Sequence, residues 1–302
     1  MRCTIVKMKR RSFVGLIGAI PLTLRGASDP PANPIDRIGV STWSLHTRFQ
    51  ATRGKDVPDQ DLIKLLDFFA IVNQRWGVRN FECVNVHFES QEPAYLASVR
   101  KAVESVQGKI HNIPCDIRGT NLSNDDEAER RRSVAAVKTW IDSAVAVGSP
   151  SIRCNTGRSK DPANLDPAVR SYRELSEYGT GRKVRVIIEN HGGLSSSAEA
   201  IMKLIRAVDH PNLGTLPDFG NFPTDEERYP GLELMFPLGR IAHAKVGRTN
   251  QQGEWVSLDV DRCVRVAERA GFKGIFSVEY EGPGDPYEGV AQSIAVLKKA
   301  LA

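Results

Sequence analysis

Four side chains in the second half of the sequence are of the types that bind metal ions or move protons, and each one ends or interrupts an apolar run. They are Glu189, Asp218, His243 and Glu279. Taken singly, an Asp after a strand often caps the next helix, and a lone His is usually structural. Three carboxylates brought together repel one another unless a cation neutralises them, and a divalent ion with oxygen and imidazole ligands meets that need. As a set they predict a site for one divalent ion, with Mn²⁺ favoured and Mg²⁺, Co²⁺ or Zn²⁺ as substitutes.

The segment Val184–Gly193 indicates how the chain positions such residues. It begins with a largely apolar, β-branched run, which is typical of a strand buried on both faces in a parallel sheet wrapped by helices. Glu189, Asn190 and His191 follow at the carboxyl end of this strand. Parallel α/β folds build their active sites at that end.

Strand-like and helix-like segments alternate along the rest of the chain. We predict strands at 38–43, 78–86, 109–117, 151–155, 184–189, 213–218, 240–245 and 274–280, and helices at 59–76, 93–106, 125–147, 167–178, 198–208, 226–238, 260–270 and 287–301. Eight such pairs over about 265 residues match the size of a (β/α)₈ TIM barrel, which we predict as a single domain over residues 38–302. An open doubly wound sheet is the alternative, but no G-x-G-x-x-G follows the first strand.

The formal net charge of +5 is confined to the start of the chain. Residues 1–27 hold six of the 41 basic residues and none of the 36 acidic ones. The remaining residues therefore carry 35 basic and 36 acidic side chains, a net charge of −1. A near-neutral barrel does not favour binding to phosphate backbones, so we predict no nucleic-acid partner.

Residues 1–27 have the pattern of an export signal. The basic segment Lys9–Phe13 precedes a short apolar stretch that ends in small residues near a plausible cleavage site. The paired arginines resemble a twin-arginine signal, and the apolar stretch is short for a membrane span. We predict an exported protein, periplasmic or otherwise extracytoplasmic, without stable membrane insertion after cleavage. An uncleaved anchor is the alternative, and residues 28–37 are interpreted as a linker.

The cysteines have no zinc-binding spacing. Cys83, Cys115 and Cys154 lie in predicted strands, where buried free thiols are the usual state. A disulfide between Cys115 and Cys154 is the alternative in an oxidising compartment.

The four motifs around the metal-binding set resemble those of a known superfamily. The segments I-I-E-N-H, D-F-G-N, H-A-K and V-E-Y-E-G are similar to the metal motifs of the xylose-isomerase-like sugar isomerases and epimerases, which are metal-dependent barrels. The resemblance implies that Glu189, Asp218, His243 and Glu279 bind one divalent ion, and that Glu189 and Glu279 act as a base and acid pair. It also implies a small sugar or keto-sugar as substrate. Asn221 stands where some epimerases have a His.

Other polar residues near the strand ends are candidates for substrate binding. We assign this role to His191, Asn221, Lys245, Arg248, Arg153 and Trp43. His191 has a second interpretation, as a partner that orients Glu189, and a loop salt bridge is an equal alternative for Arg248. Lower-ranked candidates at the same end of the predicted barrel are Glu82, His87, His46, Asn155 and, as an apolar wall, Phe222. His111 lies early in its strand and is expected to face away.

The leading functional hypothesis is a sugar isomerase or epimerase. It removes a proton next to a carbonyl, with a bound metal stabilising the developing enediolate. A lyase or dehydratase acting on keto-sugars or 3-keto-glycosides is the alternative, because the same groups can abstract a proton and expel a β-substituent. A non-catalytic sugar-binding barrel is the third possibility. A homo-oligomer is compatible with the sequence.

Overall fold

The computed structural model describes residues 33–159, 163–250 and 252–302. The export signal predicted at residues 1–27 lies outside the described residues. Within the segment interpreted as a linker, Pro34–Arg37 forms a 3₁₀ helix, and the Arg37 side chain is buried. Its guanidinium donates to the carbonyl of Phe272 over 3.0 Å, which ties this segment to the barrel.

Eight parallel strands of the described residues form one sheet that curves into a nearly closed barrel, as predicted. Going round the barrel, the strand order is β6-β5-β4-β3-β2-β1-β10-β7. These strands are β1 Ile38–Ser41, β2 Asn80–Glu82, β3 Lys109–Cys115, β4 Ser151–Cys154, β5 Arg185–Glu189, β6 Leu213–Leu216, β7 Ile241–His243 and β10 Ile275–Val278.

The barrel closes between β6 and β7 without a continuous ladder. In the described part of the chain, two isolated parallel bridges join these strands, Thr215 with Gly239 and Asp218 with His243. At the second bridge the His243 amide donates to the carbonyl of Pro217 over 2.9 Å, and the Phe219 amide donates to the carbonyl of His243 over 3.1 Å. Two residues of the predicted metal set therefore lie at the point of closure.

Helices cover the outside of the barrel. The described residues contain α1 Leu65–Trp76, α2 Pro93–Ser105, α3 Glu127–Val147, α4 Asp166–Thr180, α5 Ala198–Val208, α6 Asp225–Met235, α7 Val260–Arg269 and α8 Pro286–Ala300. Their ends follow ordinary capping chemistry. Asp126 accepts hydrogen bonds from the amides of Ala128 and Glu129 in the first turn of α3, and Gly148, at φ 78°, ends the helix in a left-handed conformation that favours glycine.

The inside of the barrel has an apolar floor below the predicted site. Ile187, Leu216 and Ile241 form a separate buried cluster, with Ile275 packed against it. Because side chains in a strand alternate between faces, the residues two positions further along β5, β6 and β7 also point inward. Those residues are Glu189, Asp218 and His243. The two-residue alternation of the strands therefore places these polar side chains directly above the apolar floor.

Two local features differ from the sequence-based prediction. The first helix begins at Leu65 rather than at residue 59, because Ile63 is extended and forms a parallel bridge with Phe49. A two-stranded antiparallel hairpin, β8 Gly247–Thr249 and β9 Trp255–Ser257, was not predicted. Among the described helices, none has the length and apolar composition needed to cross a membrane.

Candidate functional site

The carboxyl ends of β5, β6, β7 and β10 bring the predicted metal set together. Glu189, Asp218, His243 and Glu279 are all buried, and one ligand atom from each lies within 4.8 Å of the others. This spacing is compatible with the 2.0–2.6 Å bonds that carboxylates and imidazoles make to a shared ion. The structure therefore places these four side chains where a single ion can contact all of them.

Asp218 is held by the side chain of Asn190, which follows β5 directly. The Asn190 amide group donates to the Asp218 carbonyl over 3.0 Å and accepts from the Asp218 amide over 2.8 Å. Asp218 Oδ1 then accepts from the amides of Gly220 and Asn221 at 2.6 and 3.0 Å. Its other oxygen, Oδ2, is left facing His243 Nδ1 at 3.4 Å.

Glu189 is held by a cation on one side and by an amide on the other. Arg153 Nε lies 3.1 Å from Glu189 Oε2, and the same guanidinium pairs with Asp116 at 2.5 Å. Asn221 Nδ2 donates to Glu189 Oε1 over 3.2 Å. Both Arg153 and Asn221, predicted to bind substrate, thus contact a member of the metal set directly.

His243 presents its two ring nitrogens to different partners. Nδ1 faces the carboxylates of the set, at 2.9 Å from Glu189, 3.4 Å from Asp218 and 3.3 Å from Glu279. Nε2 lies 2.9 Å from Oε2 of Glu82, a fully buried glutamate at the end of β2. Glu82 was a lower-ranked candidate in the sequence analysis, because no sequence pattern indicates that it pairs with His243, which is 161 positions away.

Lys245 is the second buried cation of the site. Its Nζ lies 3.4 Å from Asp218 Oδ2, 3.2 Å from Glu279 Oε2 and 2.6 Å from Glu281 Oε2. The other oxygen of Glu281 accepts from the indole Nε1 of Trp43 over 2.7 Å. Glu281, which the sequence did not single out, therefore connects Trp43 at the mouth to Lys245 in the interior.

The charges and free oxygens of the site fit a divalent cation. Glu189 Oε2 and Asp218 Oδ2 are buried and accept no hydrogen bond within the described chain, although each lies near a cation, Arg153 or Lys245. Buried oxygens without hydrogen bonds are costly, and a bound ion would satisfy them. With all four carboxylates ionised and His243 neutral, the four buried carboxylates and two buried cations carry a net charge of −2, which a divalent ion would balance. These groups are Glu82, Glu189, Asp218 and Glu279 against Arg153 and Lys245.

The surroundings set the pKa values of the two glutamates apart. Burial raises the pKa of Glu189, but the Arg153 guanidinium and His243 outweigh it and hold that pKa well below its usual range. At Glu279 burial dominates and raises the pKa to about 8, against the nearby His243 and Lys245. Without a bound ion, the protein's own groups thus favour an ionised Glu189 beside a protonated Glu279 at neutral pH. This pattern is typical of a base paired with an acid.

The remaining candidates for substrate binding lie around the mouth. His191 is exposed, and the hydrogen bonds of Glu189 come from Asn221 and His243 rather than from it. Arg248 is partly buried on β8, and its Nη2 donates to the carbonyl of Pro223 over 2.6 Å instead of forming the salt bridge considered for it.

Two of the lower-ranked candidates are buried in the protein interior. Phe222 is buried with its ring against Gly231 of α6, so it presents no exposed apolar face to a substrate. His87 is buried and contacts the hydroxyls of Thr42 and Thr52.

Others lie beside the mouth or at the opposite end of the barrel. His46 stacks on Trp43 with ring centroids 4.7 Å apart, and Asn155 is partly buried at the end of β4. His111 lies beside Asn80, at the start of β2, so it faces away from the mouth as expected. The described cysteines, including Cys115 and Cys154, are free and buried.

The comparison with known families agrees with this architecture. The sequence model of the xylose isomerase-like TIM barrel family matches residues 74–300, which is most of the chain. The chain belongs to this family. The sequence matches none of the curated proteins with which it was compared.

Solved structures of the same fold include enzymes of different reaction classes. One is a xylose isomerase-like TIM barrel protein from Mycobacterium smegmatis in complex with magnesium (18% identity, TM-score 0.65, 88% of this chain and 98% of the other). Another is the 3-keto-D-glucoside 4-epimerase from E. coli (14% identity, TM-score 0.66, 87% of this chain and 99% of the other). A third is a probable 3-DHS dehydratase from Bacillus anthracis (15% identity, TM-score 0.66, 86% of this chain and 98% of the other). At these identities the likeness concerns the fold.

Proposed function

We propose that this member of the family is a divalent-metal-dependent sugar isomerase or epimerase. The observation that carries the proposal is the cluster of Glu189, Asp218, His243 and Glu279, whose ligand atoms lie within 4.8 Å of one another on an apolar floor. Mn²⁺ is the proposed ion, because three carboxylates and one imidazole suit it, and a magnesium complex of a similar structure supports a divalent ion of this type.

The proposed chemistry divides between the ion and two side chains. When bound, the ion would polarise a substrate carbonyl and so acidify the neighbouring C–H bond. Glu189 is the proposed base, since Arg153 and His243 keep it ionised. Glu279, three strands away round the barrel, is the proposed acid that returns a proton. Asn221 and Lys245, each within 3.4 Å of a member of the cluster, would hold substrate hydroxyls.

The substrate is proposed to be an uncharged sugar or keto-sugar. Lys245 and Arg153 are cations of the site that could attract a phosphate or carboxylate, but both are buried and already paired with carboxylates. An anionic substrate would have to displace those pairs. Trp43, partly exposed at the mouth, offers an apolar face against which a sugar ring can pack.

The same acid and base pair supports a second reaction class. After Glu189 removes a proton next to a ketone, a proton can be delivered to a leaving group instead of to carbon, which gives a β-elimination. The resemblance of the fold to that of a probable dehydratase favours this second candidate.

One experiment separates these possibilities. The protein is incubated with Mn²⁺ in D₂O with a panel of ketoses and 3-keto-glycosides, and NMR spectra are recorded after the ion is chelated. Deuterium in a rearranged sugar supports the isomerase, a released or eliminated group supports the lyase, and neither product contradicts both. Glu189→Gln is expected to abolish turnover without unfolding the chain, whereas Glu199→Gln, at the exposed first turn of α5, retains it.

Metal analysis tests the central claim at less cost. The purified protein is expected to contain a divalent ion and to lose activity with a chelator. No ion in the protein and no response to chelation would overturn the proposed function.

A further inference from the structure

Glu82 is a buried carboxylate that the proposed chemistry leaves without a task. Its side chain has no exposed surface, and it accepts hydrogen bonds at both oxygens. Oε1 accepts from Asn112 Nδ2 over 2.8 Å, and Oε2 accepts from Ser277 Oγ over 2.9 Å. The remaining contact of Oε2 is His243 Nε2, also at 2.9 Å, and the described chain offers Glu82 no closer ionic partner.

The backbone beside Glu82 is arranged to bring a hydrogen-bond donor to its carboxylate. The pairing of β2 with β3 shifts register by one residue between Phe81 and Glu82, so that Phe81 lies opposite Ile110 and Glu82 opposite Asn112. Such irregularities re-aim side chains and are frequent beside active sites. Here the shift places the Asn112 amide next to the Glu82 carboxylate. Without this shift, His111 would lie opposite Glu82, and the Asn112 amide would point to the other face of the sheet.

The hydrogen bonds determine which nitrogen of His243 carries a proton. Both oxygens of Glu82 accept hydrogen bonds, from Asn112 at Oε1 and from Ser277 at Oε2, as expected of an ionised carboxylate, which can only accept. Nε2 of His243 must then be the protonated nitrogen. Nδ1, which faces Glu189, Asp218 and Glu279, is therefore the nitrogen that gives up its proton when an ion binds. An imidazole binds a metal ion only through such an unprotonated nitrogen.

We infer that Glu82 is a positioning residue, which fixes His243 as the Nε2–H tautomer and holds its Nδ1 toward the proposed ion. The inference rests on the proposed metal site and extends it to a residue that binds neither ion nor substrate. Carboxylates that hydrogen-bond a ligating His raise its basicity and fix its ring orientation. Glu82 also supplies one of the buried negative charges that a divalent ion balances.

The first test measures binding of Mn²⁺ alone by isothermal titration calorimetry. Glu82→Gln is expected to weaken binding about 10- to 100-fold, as loss of such partners typically does. Ser277→Ala is the matched control, because it removes one hydrogen bond to the same oxygen but keeps the carboxylate. It should change the affinity less than threefold. Circular dichroism of the metal-free variants checks that both are folded.

The outcomes separate this inference from the function on which it rests. If the unsubstituted protein binds no Mn²⁺, the proposed function fails. If it binds Mn²⁺ and Glu82→Gln binds equally well, only the role of Glu82 fails.

A second measurement does not depend on the folding of a variant. ¹⁵N NMR of the imidazoles in the Zn²⁺-loaded, unsubstituted protein should find His243 with a proton on Nε2 and the ion on Nδ1. A proton on Nδ1 with the ion on Nε2 would overturn the inference.

Discussion

Asn190 offers the sharpest test of how the site is held in place. Its side chain pairs with both backbone groups of Asp218, in the manner of one extra rung of sheet between β5 and β6. Asn190 is only 1% exposed and Asp218 is fully buried. Asn190→Ala therefore leaves a buried N–H and a buried C=O without partners.

The expected cost follows from those two groups. An unsatisfied buried donor or acceptor costs about 1–3 kcal/mol, so Asn190→Ala is expected to lower the free energy of unfolding by about 2–6 kcal/mol. Whole domains are stable by only about 5–15 kcal/mol, so a loss of this size is readily measured. Asn155→Ala is the matched control, because Asn155 follows β4 as Asn190 follows β5. Its side-chain oxygen is buried without a hydrogen-bond partner among the described residues.

Urea denaturation followed by circular dichroism gives the free energy of unfolding of each variant, measured without added metal. We expect Asn155→Ala to stay within about 1 kcal/mol of the unsubstituted protein, since it removes an oxygen that is already unpaired. If Asn190→Ala loses no more than Asn155→Ala, the amide pairing does not stabilise the end of β6. The account of how Asp218 is positioned would then be wrong.

Three further predictions concern the ion and a nearby loop. The pKa of Glu279 is raised to about 8, and that of His243 is raised by its carboxylate neighbours despite burial, so both hold protons that Mn²⁺ must displace. Affinity for Mn²⁺ should rise from pH 6 to pH 8 with proton release in calorimetry, and a pH-independent affinity would contradict this. Free Mn²⁺ at 100 times Kd should raise Tm by roughly 5–10 °C, reversed by chelator, and an unchanged Tm would argue against binding. Gly193→Ala (φ 58°) should destabilise the fold more than Gly119→Ala (φ 81°), since only the former drives a methyl group into the Gly157 carbonyl; equal denaturation midpoints would exclude that clash.

The sequence predicted the barrel and the metal set because both follow from short-range patterns. Apolar runs of strand length mark the strands, and a two-residue period puts Glu189 above Ile187 and His243 above Ile241. Since parallel strands must point the same way, their carboxyl ends converge whatever the details of the loops. These features need no knowledge of which distant residues touch.

The parts that sequence reasoning missed depend on contacts between distant residues. Glu82 contacts His243 across 161 positions, and the register shift between β2 and β3 brings Asn112 opposite Glu82. Phe222 looks like a pocket wall by its place in the chain, but packing against Gly231 draws it into the core. Three-residue strands such as β8 are too short to carry a periodic signal.

The gap in the ladder between β6 and β7 has a consequence for the motions of the barrel. Because two isolated bridges replace a ladder in the described structure, we expect this seam to open more easily than the fully paired strands do. The amide protons of Phe219 and His243 cross the seam, so they should exchange with solvent faster than those inside β3, β4 and β5. An ion that binds Asp218 and His243 would link β6 to β7 across this seam and so slow that exchange. The exchange rates of these backbone amide protons would therefore report whether an ion is bound.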